Sequence, residues 1–513
     1  MNQNQRFCFM LFFVLLFLII GPLVVLFAQG YRFDKYGRIF VHSGSITIKS
    51  WPRDIDIYID GEKQDKGMLS VVNNSYTINS IRPGKYNLKC QKDGYSYWEK
   101  NIEVHSGVST EFWNILLFPK KDDRDIYNHT SRRINQYFIS PRNEDEIVFF
   151  AEEKGENKVY LIDTENGQEK EVYSTDEYEF LDPAEEENVE WNSNNKKIII
   201  PLRSKETKEK KYLIASIKDD QAVEIIDFNN FFNEKFSESI EDNSPLEMED
   251  DNSPLELEKI RWMFDEKEEL VVLAKGKRLF YVSLNPNNKI KLLDENVLAF
   301  DFAGNRIYYC QSPNKIIWEI KDKDPATKRQ ITHQSIDFDG ENSVKKMIVY
   351  DEYRIALLDK TNNLIVYNEE KEKGEKTLEK VYEGVRDIQF SDDGKKLLFW
   401  TNNEVRLLML RDWEVQPIRK KNNNILITRF SETINNVQWM DDYENIIFSV
   451  NSSIKSSEID IRDRINIVDV MKTNQPLENR QVFYNKENQT LYFIDQGVLK
   501  SLKLIDRGGI LGF

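Results

Sequence analysis

The chain has 513 residues, 40% of them hydrophobic and 12% aromatic, and a formal net charge of -16. That length accommodates several domains, and the apolar fraction is enough for packed cores. An acidic chain lacks the basic face that phosphate binding requires, which excludes nucleic acid and argues against other acidic polymers as partners.

With 30 Phe, 23 Tyr and 9 Trp beside abundant Ile and Val, the composition favours sheet, and an all-β fold is expected. Cys8, Cys90 and Cys310 are far apart and form no CxxC or Cys/His cluster, so neither a zinc site nor a disulfide framework is expected. Cys90 and Cys310 fall in alternating apolar strands and read as small buried hydrophobes.

Residues 1–6 are a short tail, and from Phe7 to Ala28 the sequence FCFMLFFVLLFLIIGPLVVLFA runs 22 residues without a charge. A helix rises about 1.5 Å per residue, so this length crosses a hydrocarbon core of roughly 30 Å. Gly21 and Pro22 bend such a helix without preventing it from spanning. The competing reading is a cleaved signal peptide, whose apolar core runs about 7–15 residues and ends at a small-x-small site; Leu26 and Ala28 supply half of one. The run is read as an uncleaved single-pass transmembrane helix over 7–28, with 29–43 as a linker. Arg6 precedes the run while Arg32, Lys35 and Arg38 follow it, so charge does not decide the orientation. The very short tail places residues 1–6 in the cytoplasm and the bulk of the chain on the extracytoplasmic side of the cell membrane.

Residues 44–120 alternate almost throughout. Ile55, Ile57 and Ile59 alternate with Asp56, Tyr58 and Asp60 before an Asp60-Gly61 turn, and Trp98, Ile102 and Val104 alternate with Glu99, Asn101 and Glu103. Period two with one apolar face marks half-buried antiparallel strands, and six or seven of them make a small sandwich. Pro83 and Gly84 form a turn ahead of Tyr86, Gly94 permits a backbone conformation closed to other residues, and Tyr95 with Trp98 packs over the sandwich end. These six positions read as structural scaffold. The functional alternative makes Tyr95, Tyr97 and Trp98 a sugar-stacking platform.

The stretch RPGKYNLKCQKDGYSYWEKNIEVHSG, preceded by GSITIKSWPRDIDIYIDG, resembles the PEGA domain, a small extracytoplasmic β-sandwich. The carriers are Pro83-Gly84-x-Tyr86 and Gly94-Tyr95-x-x-Trp98. Where the family reads Pro-Glu-Gly-Ala or a near variant, this chain has Pro52-Arg53-Asp54-Ile55.

From residue 134 a layout of apolar strand, polar turn, strongly apolar strand, turn and alternating strand recurs. Turns such as NSNNKK (192–197), SDDGKK (391–396) and MDDYEN (440–445) are followed by IIIPL, LLFWT and IIFSV. The pattern occurs eight times at spacings of about 39–52 residues, apart from one longer gap, the period of four-stranded propeller blades. Roughly 47 residues per unit favours eight blades; seven, at about 53, is the alternative. The units VRDIQFSDDGKKLLFW and VEWNSNNKKIIIPL resemble WD-repeat-like and TolB-like propeller repeats, which implies an interaction platform and carries over no catalytic residue. The last unit is short of an outer strand, which residues 124–133 are expected to supply, closing the propeller of 121–513. Between the second and third units, EKFSESIEDNSPLEMEDDNSPLELEK (234–259) is an acidic tandem, expected as a disordered, solvated insertion.

His42, His105, His129 and His333 are the four histidines, and none stands at ligand spacing from another or in HExxH. No GxSxG elbow appears, GEKQDKG (61–67) misses the phosphate loop, and DFDGEN (337–342) lacks the acids of a calcium loop. With the chain ending at the repeats, no catalytic, cofactor or metal residue is expected, and no ligand platform is assigned. The sequence therefore reads as a non-enzymatic, membrane-anchored binding or scaffolding protein of the cell envelope, its partner an envelope protein or a cell-wall glycan. The alternative is an envelope hydrolase or lyase with its active site in the propeller channel.

Overall fold

The computed structural model describes residues 3–28, 31–34, 39–65, 75–120, 125–143, 145–181, 189–217, 223–241, 254–263, 268–285, 289–336, 344–370 and 374–504. Helix α1, Gln3–Ala28, carries Pro22 within it. Its window Phe7–Leu26 has a mean hydropathy of 3.1, and the rest of the molecule buries none of it. In place of the expected linker over 29–43, Tyr31–Asp34 and Ile39–His42 pair as an antiparallel hairpin. In that register Tyr31 stands opposite His42.

Residues 44–116 fold into two sheets. Gly44–Trp51 lies between Tyr76–Ile81 and Ser109–Leu116, the latter parallel to it. The second sheet runs in the order Glu62–Lys63, Asp56–Ile59, Gly84–Gln91, Trp98–Val104. Their inner faces meet in one core that includes Ile46, Ile57, Leu88, Cys90, Trp98 and Phe112, as period-two alternation requires of sheets solvated on one side.

Eight further sheets are formed, spanning 134–175, 178–227, 257–294, 297–330, 344–382, 387–429, 434–472 and 482–503. Each has four strands, except the second with five. Inner-blade strands such as Glu269–Ala274, Lys396–Trp400 and Asn445–Val450 are buried at every position, because a neighbouring blade covers each face; hence their continuous apolar runs. Apolar clusters fill the gap between every successive pair of sheets. The last gap is filled by Tyr492, Ile494 and Leu499 of the eighth sheet against Ile134, Tyr137 and Ile147 of the first, with the Tyr137 hydroxyl donating to the Tyr492 carbonyl at 2.8 Å. The ring is closed: this is an eight-bladed β-propeller. The outer strand of the eighth blade is Ile126–Asn128, paired antiparallel with Val498–Lys503, so chain segments over 370 residues apart in sequence share one sheet.

The insertion expected to be solvated departs from that expectation. Helix α2, Phe228–Glu241, runs into it, and the next blade begins at Leu257–Trp262; residues 242–253 lie outside the described residues. Phe228, Phe232 and Phe236 recur at i, i+4 and i+8, which places them on one helix face. All three are buried, and Phe232 and Phe236 each meet Phe280 edge-on, at 5.4 and 5.5 Å. The acidic tandem dominates the composition of 234–259, but the apolar face that orders its beginning starts upstream of it.

Candidate functional site

The innermost strands of the blades surround a channel with a cavity of about 670 Å3. Its wall draws on Ile134–Ile139, Glu190–Trp191, Leu257–Trp262, Val344–Asp351, Asp387–Phe390, Ile434–Trp439 and Val482–Asn485. A smaller recess of about 290 Å3 shares Ile139, Pro141, Gln389, Gln438 and Phe483 with it. Trp191 and Trp400, each 7% exposed, form apolar parts of the lining.

The charged lining is Arg261, Lys345, Lys346, Arg386 and Arg480 against the carboxylates Glu190 and Asp387. Arg261 donates from Nε to both Glu190 oxygens at 3.0 and 3.1 Å and from Nη1 to Asp301 at 3.0 Å. Burial pushes the Glu190 carboxyl up while Arg261 pulls it down, and the net is upward. Lys346 pairs with Asp387 at 2.5 Å. Arg386 is held differently: its Nη1 donates to the Ile434 carbonyl at 3.0 Å and to Asn435 Oδ1 at 2.9 Å, both uncharged acceptors, and burial lowers its pKa against a counter-pull from Asp387. Both carboxylates of the lining are thus tied to cations, an arrangement suited to holding a ligand by charge and hydrogen bonds.

The residues singled out in the sequence stand apart from this channel, in the sandwich. Pro83 is exposed in the crossover between the two sheets, Gly84 opens the strand Gly84–Gln91, and the Tyr86 hydroxyl donates to the Arg82 carbonyl at 2.8 Å. Gly94 has φ +77°, a conformation that side chains disfavour, and its carbonyl accepts from the Lys120 amide at 2.7 Å. Tyr95 meets Trp51 edge-on at 6.1 Å. Trp98, 3% exposed, meets Phe112 at 5.0 Å, so it offers no face to a sugar beside Tyr95 and Tyr97. Of the histidines, His129 lies against the eighth blade with Nε2 2.7 Å from the Ser501 hydroxyl, His105 and His333 are exposed, and His42 sits edge-on to Tyr31 at 4.6 Å. Cys90 and Cys310 are buried, and burial pushes the Cys310 thiol up to about 12.

A second polar constellation joins the sandwich to the seventh blade. Lys100 is fully buried; its Nζ donates to the Asp460 carbonyl at 2.6 Å and the Arg462 carbonyl at 2.8 Å, and lies 3.0 Å from Glu458 Oε1. The Trp98 indole donates to Glu458 Oε2 at 2.8 Å. The Asn101 amide donates to Asp463 at 2.8 Å, and Arg462 lies over the Phe112 ring at 4.1 Å. Phe118 enters the apolar cluster between the seventh and eighth blades. The sequence placed Trp98 over the sandwich end, with a sugar platform as the alternative, and did not single out Lys100. The signal was a cation at the inward position of the alternation 98, 100, 102, 104, a place where a charge is stable only with a partner.

No protein-family model matches the chain, and no curated protein matches it in sequence. Among solved structures it is similar to the Dos1 propeller, with 10% identity and a TM-score of 0.45 over 74% of this chain and 95% of that one. It is similar to Saccharomyces cerevisiae Sqt1, with 10% identity and a TM-score of 0.43 over 74% of this chain and 100% of that one. The β-propeller domain of Myceliophteria thermophila Cps50 (Swd1) gives 9% identity and a TM-score of 0.40 over 74% of this chain and 99% of that one. At such identities no side chain is carried across.

Proposed function

We propose that this chain is a membrane-anchored, non-enzymatic binding protein of the cell envelope that receives its partner at the propeller channel. The observation that carries the binding role is the channel itself, a cavity whose carboxylates Glu190 and Asp387 are engaged by Arg261 and Lys346 and so are taken up in ion pairs of the lining rather than presented singly to a substrate. The anchor rests on α1: twenty apolar residues that nothing in the molecule covers expose more apolar surface than a water-soluble fold tolerates, and a bilayer covers it. The PEGA resemblance of residues 44–120 agrees with an extracytoplasmic side. Docked on the seventh blade through Lys100 and Phe118, the sandwich acts as a rigid spacer between anchor and propeller, and the partner is an envelope protein or a cell-wall glycan.

Two experiments test this. A Thr207→Cys variant, at an exposed turn, is labelled by a membrane-impermeant maleimide in cells whose inner membrane is intact; labelling only after inner-membrane lysis overturns the orientation. The purified chain shows no turnover of peptidoglycan, ester or peptide substrates. Saturable turnover abolished by Glu190→Gln or Asp387→Asn overturns the non-enzymatic reading and favours the hydrolase alternative.

A further inference from the structure

We propose that the protein meets the membrane at a second place besides α1: the seam between the sandwich and the sixth and seventh blades, bordered by Val108, Val415, Ile418 and Ile461, rests in the interface of the bilayer that α1 crosses. This rests on α1 being a membrane anchor and goes beyond it, because a second contact fixes how the propeller is turned toward the lipid. Outside α1, ten large apolar side chains are exposed among the described residues. Scattered singly, such residues are ordinary surface, whereas a group in one place marks an interaction site. Four of the ten gather about the first three residues of one edge strand, Ser109–Leu116. Val108, 53% exposed, immediately precedes that strand. The Gln416 side chain clasps its start, donating from Nε2 to the Ser109 carbonyl at 2.8 Å and accepting from the Glu111 amide at 3.1 Å. That brings the flanking Val415 and Ile418, 48% and 64% exposed, to the same place. Arg462 donates from Nη2 to the Glu111 carbonyl at 2.9 Å, and its neighbour Ile461 is 47% exposed. Three separate segments of the chain thus turn apolar side chains outward around one strand end.

What covers that end follows from where the anchor enters. The hairpin after α1 turns the chain back on itself: Tyr31, three residues beyond Ala28, stands opposite His42, with their rings 4.6 Å apart. Residues paired in this way have backbones about 5 Å apart, so the chain enters the sandwich close to the end of the helix. Ser43 comes next, and its carbonyl accepts from the Gly107 amide at 3.0 Å, while the Ser45 amide donates to the Val108 carbonyl at 3.2 Å. The turn that carries Val108 therefore lies beside the point at which the chain leaves the bilayer, and the strand end that the four side chains border is the membrane-proximal one. Apolar side chains at that depth leave water for the boundary between headgroups and acyl chains. In a closed ring of eight blades the second stands opposite the sixth, so this contact turns the second blade away from the membrane.

The test uses the full chain in nanodiscs of phosphatidylcholine and phosphatidylglycerol. Cys8→Ser removes the exposed native thiol, and Cys90 and Cys310 are buried. In that background Val108→Cys, Ile418→Cys and, on the second blade, Thr207→Cys each carry an environment-sensitive fluorophore; all three positions are exposed, so the fold tolerates the exchange. A nitroxide placed high on the lipid acyl chain is expected to quench the labels at 108 and 418 about twofold or more, as for a segment lying at the headgroup boundary, and to leave the label at 207 unchanged. Absence of quenching at either 108 or 418, in discs that still hold the chain, overturns the inference and leaves the anchor standing. A blue-shifted label that the nitroxide does not quench also overturns it, because a second copy of the chain then covers the patch. Equal quenching at 207 and 418 overturns it as well, since the propeller then meets lipid without a preferred side. A chain that does not enter the discs overturns the anchor and the inference with it.

Discussion

Replacing Lys100 with methionine removes one buried charge and strands its partners. In the wild type the Lys100 ammonium, with no exposed surface, meets two carbonyls at 2.6 and 2.8 Å, Glu458 at 3.0 Å and Asp460 at 3.8 Å. Breaking one side of a buried ion pair costs about 3–5 kcal/mol, because the remaining charge has lost its counterion without regaining water. Two features move the estimate to the lower end. Glu458 keeps hydrogen bonds at 2.8 Å from the Trp98 indole and from both the amide and the side chain of Asn466, and Asp460 keeps Arg462 at 2.6 Å. Lys100→Met is therefore expected to cost about 3 kcal/mol, lost from the docking of the sandwich on the seventh blade. Urea unfolding gives the stability, and amide hydrogen exchange locates it: exchange accelerates in 98–104 and 458–466 and stays unchanged in the first blade. Adding Glu458→Gln to Lys100→Met removes the stranded charge and recovers part of the loss. A cost under about 1 kcal/mol, the range of an exposed pair, or faster exchange spread over the whole propeller, refutes the reasoning.

Trp98→Ala removes a large buried ring and the donor to Glu458, so it costs about 3–5 kcal/mol and loosens both the sandwich core and the docking, read by the same two measurements. Phe236→Ala costs about 3 kcal/mol or more if α2 packs on the third blade as its contacts with Phe280 require; an unchanged melting temperature means that this part of the insertion is solvated. Burial pushes the Glu352 carboxyl up, but the Tyr353 hydroxyl and the Arg329 and Arg306 guanidinium groups outweigh it and bring it down to about 2. A depressed carboxylate stabilises the fold above its unfolded pKa of about 4.5 and loses that contribution as pH falls toward 2. Wild type is thus more stable than Glu352→Gln at neutral pH, by about 1 kcal/mol once solvent screening of this partly exposed group is allowed for, and the gap closes across that interval; a gap that stays constant with pH contradicts the assignment.

The repeat was legible because each blade is the same physical problem solved again. A strand covered on both faces needs an uninterrupted apolar run, as in IIIPL and LLFWT, and the turn before it needs polar residues that take tight backbone conformations, as in Ser391-Asp392-Asp393-Gly394. Spacing then favoured eight units with seven as the alternative, and the missing outer strand at the end of the last unit pointed back to 124–133, where Ile126–Asn128 supplies it. Sandwich strands were legible from period-two alternation for the same kind of reason. The start of the insertion was misread because composition over 234–259 averages acidic residues with Phe236, whereas burial follows the helical face that begins at Phe228.

Local pattern, then, determined what each segment is: apolar helix, half-buried strand, doubly covered strand, polar turn. Those properties depend on neighbours within a few residues, so the chain order carries them. What lies beside what was decided by the tertiary structure. Lys100 faces Glu458, 358 positions further along the chain, and Arg386 reaches Asn435 on the next blade, and nothing in either local sequence names the partner. Charge shows the difference most plainly. The total of -16 is a sum over residues and is blind to position, so it spoke only to acidic polymers such as nucleic acid and not to the charge of any one site. Closing eight blades into a ring brings Lys345, Arg386 and Arg480 to the channel lining and joins Arg261 and Lys346 to their carboxylates, because electrostatic potential falls with distance and is set by which charges the fold makes neighbours.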